Sequence, residues 1–146
     1  RALCWFCGCH TAVANKDAPI ERYFELALRE IAMVAGLLGP GRRLVHIHLG
    51  GGSPSLLAPS QLERLAESLH RNFAVDADAE FAIEVDPRAM DAARAAALAA
   101  IGVNRASLGV QDFDPAVQAA INRVQPEALT ARVVDMLRDR GIERIN

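Results

Sequence analysis

Leu44-Val45-His46-Ile47-His48-Leu49 runs straight into Gly50-Gly51-Gly52-Ser53-Pro54, and that junction decides the fold class. Apolar residues crowd a segment too short for a helix, which predicts a buried strand. Three glycines and a proline then end it abruptly. The glycine run lacks the spacing of a dinucleotide fingerprint and has no P-loop lysine. It serves as a tight strand-to-helix turn, or as bare backbone that a ligand can approach and hydrogen-bond. A zwitterionic amino acid would suit those exposed N–H and C=O groups.

The same rhythm repeats outward in both directions. Upstream, Pro19 opens a helix in which Ile20, Phe24, Ala27, Leu28, Ile31, Val34 and Ala35 recur at helical spacing to about Leu38. Gly39-Pro40-Gly41 stops it. Downstream, Gln61 to Phe73 is helical with Ser60 as N-cap, and Glu80 to Val85 is a strand. A helix from Ala89 to Ala100 ends at Gly102, and Val103 to Val110 is the next strand. Pro115 to Asn122 and Glu127 to Arg140 are helical, Gly141 closes the latter, and Ile142 to Asn146 begins a further strand. Strands alternating with helices predict an α/β fold, a parallel sheet joined by right-handed crossovers, open or closed as a barrel.

Polar residues collect at one position in that rhythm. The glycine run, Glu84 and Gln111 each lie at or just past the C-terminal end of a strand, the edge where parallel α/β folds build their sites. Glu84 points to one face of its strand and Val85 to the other. It lines a pocket floor, or is a solvated charge paired with Arg88. Arg123 alone would read as a solvated helix charge. His46 and His48 share a face and are expected as satisfied interior histidines rather than ligands.

All three cysteines lie within Cys4-Trp5-Phe6-Cys7-Gly8-Cys9. Cys4-x-x-Cys7 puts two thiolates on one turn, close enough to share a metal or cluster. A thioredoxin-type dithiol has no use for a third cysteine so close. A zinc site would take Cys4, Cys7, Cys9 and His10, crowded for a tetrahedron. An iron–sulfur cluster takes three or four cysteines, so one ligand is missing if Cys9 is not among them.

At 146 residues and 51% apolar, the chain has the size of one domain or part of a larger one. It has no apolar run of membrane-spanning length and no signal peptide. A net charge of −2 with scattered basic residues argues against a nucleic-acid surface. Clustered cysteines without a disulfide framework point to a reducing compartment, hence the cytoplasm.

The cysteine loop, Gly50-Gly51-Gly52-Ser53-Pro54-Ser55, Glu84-Val85-Asp86-Pro87-Arg88 and Gly109-Val110-Gln111-Asp112-Phe113 together resemble the oxygen-independent coproporphyrinogen III dehydrogenase (oxidase) family of radical S-adenosylmethionine enzymes. The resemblance runs from Leu3 to Asn146. It implies an open, three-quarter βα barrel of TIM-like kind, of which residues 1–146 would be a fragment. Residues 1–10 would form the cluster loop, followed by successive βα units, with the first strand and the C-terminal part absent.

In the family pattern Cys-x-x-x-Cys-x-x-Cys-x-Cys, the first three cysteines bind a 4Fe–4S cluster. Cys4 and Cys7 match the second and third, Cys9 matches the extra non-ligand, and the first would fall one position before Arg1. The resemblance carries Gly51, Gly52 and Ser53 onto the methionine part of S-adenosylmethionine, and Glu84, Gln111 and Arg123 onto its other contacts. A ribose-contacting Asp would follow Asn146.

Related haem chaperones lack the trailing Gly-Cys and usually carry Ala-Asn-Pro and Gln-Ser-Phe where this chain has Val85-Asp86-Pro87 and Gln111-Asp112-Phe113. Oxidative decarboxylation of coproporphyrinogen III to protoporphyrinogen IX by a 5′-deoxyadenosyl radical is therefore the implied activity. Its implied setting is a cytoplasmic monomer served by a flavodoxin-type one-electron reductant, with no membrane or nucleic-acid partner. The alternatives are a haem chaperone or another radical S-adenosylmethionine protein, or a zinc- or haem-binding module.

Overall fold

A computed structural model describes residues 3–8 and 16–146 and realises the strand–helix alternation. In chain order it contains α1 (Ala18–Leu38), β1 (Arg43–Leu49), α2 (Pro59–Asn72), β2 (Ala74–Val85), α3 (Ala92–Ala100), β3 (Arg105–Leu108), α4 (Pro115–Ala120), α5 (Glu127–Arg138) and β4 (Arg144–Ile145). Two single turns of 3-10 helix, Pro54–Leu56 and Pro87–Ala89, follow β1 and β2.

The four strands are all parallel and lie in the order β1-β2-β3-β4. Spatial order equals chain order, so there is no switch point as in a doubly wound sheet, and every crossover returns on the same side. The outcome is a helix-covered face and a bare face, a section of a βα barrel that is not closed. The α/β, partial-barrel expectation holds.

The helix-covered face holds the core. Ile47, Phe81, Ile83, Val85 and Ala106 point into it from the strands and meet Leu62, Leu98, Val133, Leu137 and Ile142. Full burial of each large apolar side chain stabilises the fold by about 1.5–3 kcal/mol. The register puts the alternate residues, His46, His48, Glu80, Glu84, Arg105 and Ser107, on the opposite face. Asn104 ties the α3–β3 corner to β2: its side chain donates to Ala79 O at 2.9 Å and accepts from Phe81 N at 3.1 Å.

Some boundaries move for local reasons. Helix α2 starts at Pro59 with Ala58, not Ser60, as its N-cap, because the Gln61 side chain reaches back to accept from Ala58 N at 2.9 Å. Strand β2 starts at Ala74, six residues before Glu80. Arg43 there forks onto Asp76 and Ala74 N donates to Arg42 O, so pairing with β1 overrides the poor strand propensity of Asp. Pro87–Ala89 forms its own turn, and α3 begins after Asp91, whose carboxylate accepts from Arg94 N at 2.8 Å. Among the described residues no helix is long and apolar enough to cross a membrane.

Candidate functional site

The C-terminal ends of β1, β2 and β3 open into one cavity of about 1510 Å³. Its lining combines the Cys4–Cys7 turn, the glycine loop, the ends of β2 and β3, and apolar side chains of α1 such as Tyr23 and Ile31.

Cys4 and Cys7 sit on one turn because Cys7 N donates to Cys4 O at 3.1 Å. That turn docks on the segment after α4: Trp5 N donates to Ile121 O at 3.1 Å and the Asn122 side chain donates to Leu3 O at 2.8 Å. Asn122 holds a left-handed backbone, φ 55°, which Asn tolerates better than most residues. Cys4 is buried and Cys7 half-buried. Cys9 and His10, the further members of the alternative zinc set, lie outside the described residues. Among the described residues no group of three His, Cys, Asp or Glu is placed to hold a metal.

Two guanidiniums converge on Cys4. Arg88 Nη2 and Arg123 Nη1 each donate to its Sγ at 3.5 Å. Arg123 is buried, and its Nη2 donates to Gly109 O at 2.6 Å. A Cβ on Gly109 would come within 2.9 Å of that nitrogen, so the glycine makes the approach possible. Asp86 lies between the arginines, accepting from Arg88 Nη2 at 2.7 Å and facing Arg123 Nη2 at 3.4 Å. Burial alone would raise the Asp86 pKa, but the Arg88 hydrogen bonds and the Arg123 charge hold it below the ordinary carboxylate value.

The glycine loop is organised from both ends. Gly51 takes φ +89°, and a Cβ there would meet nothing within 4 Å, so its open side is cavity. Ser53 Oγ donates to Gly52 O at 2.6 Å. Ser55, fully buried, accepts from Asp86 N at 3.1 Å and ties the loop to the end of β2. Glu84 does not pair with Arg88. It faces His48, with His48 Nε2 at 3.5 Å from Glu84 Oε1, and both side chains are about half exposed to the cavity. His46 likewise faces Glu80 at 3.5 Å, so neither histidine is a satisfied interior residue.

The candidate cluster and cofactor residues read from sequence, Cys4, Cys7, Gly51, Gly52, Ser53, Glu84, Gln111 and Arg123, all border this cavity, whereas His46 does not. Cys4 and Cys7 form one wall and Gly51, Gly52 and Ser53 another, with Glu84, Gln111 and Arg123 completing it. Sequence reasoning missed His48, Ser55, Asp86 and Arg88 as site members. For the last two, the signal was an acid and a base two residues apart just beyond a strand end. The donor set fits an anionic, sulfur-ligated cluster beside a small zwitterion: two thiols on one turn, guanidiniums aimed at one of them, and uncovered backbone opposite.

A family model for the radical SAM superfamily matches residues 1–146. The oxygen-independent coproporphyrinogen III oxidase of Bradyrhizobium diazoefficiens is 48% identical over 146 residues, 100% of this chain and 32% of that protein. That of Paracoccus denitrificans is 45% identical over the same 146 residues, again 100% of this chain and 32% of its own length. A solved structure of the Escherichia coli coproporphyrinogen III oxidase, described as a radical SAM enzyme, superposes with a TM-score of 0.92 at 39% identity. It covers 99% of this chain and 33% of that one. The chain thus spans about a third of the length of the curated relatives it matches.

Proposed function

Since the chain belongs to the radical SAM superfamily, which implies a 4Fe–4S cluster and S-adenosylmethionine, we propose that it forms part of an oxygen-independent coproporphyrinogen III oxidase. In this reading residues 1–146 are a portion of the radical SAM core, with the loop at 1–10 as the cluster loop and a further cysteine ligand outside the chain. Once bound, cluster and cofactor supply radical chemistry that the protein itself cannot perform.

The chain's own residues bind and orient. Cys4 and Cys7 hold the cluster at the edge of the cavity. Gly51 and Gly52 let the methionine amine and carboxylate come close to bare backbone, and Ser53 lies beside them. Glu84 offers a carboxylate to a donor on the cofactor, held toward the cavity by His48. Gln111 and Arg123 also line the cavity, and Arg123 donates to Cys4 Sγ. Coproporphyrinogen III is the proposed substrate, a flavodoxin-type protein the proposed reductant, and a cytoplasmic monomer the proposed form.

One observation carries the reading: the cysteine turn and the glycine loop, more than forty residues apart, line one cavity in a chain matched end to end by the family. The test is anaerobic turnover of coproporphyrinogen III by the full-length protein with S-adenosylmethionine and a reduced flavodoxin-type donor. Protoporphyrinogen IX with release of carbon dioxide is the expected product. Cofactor cleavage with coproporphyrinogen left intact would move the protein to the haem-chaperone branch.

A further inference from the structure

Asp86-Pro87-Arg88 places an acid and a base on either side of a proline just beyond β2, and the Arg88 guanidinium reaches the cysteine loop. Arg88 Nε donates to Asp86 Oδ1 at 3.0 Å and Nη2 to Oδ2 at 2.7 Å, a two-pronged contact that fixes the guanidinium plane. Asp86 is anchored in turn by its backbone N–H on Ser55 Oγ. So held, Arg88 reaches Cys4 Sγ at 3.5 Å across a sequence separation of 84 residues. Arg123 approaches the same sulfur at 3.5 Å and is held by Gly109 O as well as by Asp86. Two guanidiniums against one carboxylate leave an excess of positive charge at Cys4, in a largely buried setting where solvent screens it weakly.

We propose that Arg88, oriented by Asp86, is a positioning residue that hydrogen-bonds the sulfur of Cys4 and raises the reduction potential of the cluster held there. This rests on Cys4 being a cluster ligand. Reduction adds negative charge to cluster and sulfurs, and N–H donors and nearby cations stabilise the reduced form more than the oxidised one. Arg remains charged across the accessible pH range, so the effect is constant with pH. The Asp86 carboxylate opposes it, which gives the two residues opposite signs.

The test is an EPR-monitored redox titration of the reconstituted full-length protein, after iron and sulfide content has been measured. Arg88→Gln, a neutral and shorter side chain that loses both the charge and the contact with Cys4, is expected to retain iron and shift the midpoint to more negative potential. Asp86→Asn, which keeps Oδ1 as an acceptor for Arg88 Nε but removes the opposing charge, is expected to shift it to more positive potential. Unchanged midpoints, or shifts of the same sign, overturn the proposal. Should Arg88→Gln hold no cluster, Asp86→Asn decides alone: a positive shift supports the proposal, and a null or negative shift overturns it. Loss of iron from both variants also overturns it, because the pair would then only build the loop. An unsubstituted protein with no reduced-cluster signal would instead contradict Cys4 as a ligand, a failure distinct from all of these.

Discussion

Replacing Gly50 with Ala separates the site from the fold. Gly50 lies outside the left-handed region, so its backbone accepts a side chain. The added Cβ would stand 2.7 Å from His48 Nε2, 2.9 Å from His48 Cδ2 and 3.1 Å from Glu84 Oε1. All three atoms are at the ends of side chains about half exposed to the cavity, so they can rotate away. Moving off a preferred rotamer costs about 0.5–1.5 kcal/mol. The restricted unfolded chain returns about 0.4–1 kcal/mol. Net stability should therefore change by less than about 1 kcal/mol, a shift of a few degrees in Tm.

Binding should respond more strongly. If Glu84 binds the cofactor as proposed, its displacement forfeits a charged hydrogen bond, about 1.5–3 kcal/mol, or about ten- to a hundredfold in S-adenosylmethionine affinity. Thermal melting and equilibrium binding on the cluster-loaded full-length protein check both halves. A loss of more than about 2 kcal/mol in stability with unchanged affinity would refute the reasoning, since Gly50 would then serve the backbone and not the cavity. Gly51→Val is a poorer probe: it should also block the cofactor, but at φ +89° it strains the chain as well.

Two further outcomes concern stability. Phe24 is the buried residue of α1, under the Arg64 guanidinium at 5.1 Å, so Phe24→Ala should cost about 3–5 kcal/mol by urea unfolding. A cost under about 1 kcal/mol would show that α1 docks by other means. Asp86, with its folded pKa depressed, contributes stability that is present above the unfolded value of about 3.9 and is lost as pH falls through the lower folded value. Unfolding free energy measured downward from pH 5 should therefore fall more steeply in the parent than in Asp86→Asn, and equal slopes would contradict the assignment.

Legibility followed the range of the interactions. Helix α1 can be read from its own apolar spacing, its Pro19 start and its glycine stop. The N-cap of α2 and the first half of β2 cannot, because the Gln61 side chain and the Arg43–Asp76 fork outweigh the local signals at Ser60 and in 74–79. The glycine loop, Glu84 and Gln111 were legible as neighbours because parallel α/β folds bring strand ends to one edge. Arg88, Asp86 and Ser55 were not, because their partners lie across other loops, 31 residues away for Ser55 and Asp86 and 84 for Cys4 and Arg88. His48 shows its role only when the register sets it beside Glu84 on the bare face.

The central claim is that Cys4 and Cys7 hold a cluster that acts on S-adenosylmethionine at the glycine loop. The most direct measurement is 5′-deoxyadenosine formation by anaerobically reconstituted full-length protein, compared with its Cys4→Ala and Cys7→Ala variants and normalised to iron content. Iron and 5′-deoxyadenosine should both fall to background in each variant, because the remaining thiolates cannot hold the cluster. Full iron content with undiminished 5′-deoxyadenosine in Cys4→Ala would contradict the account.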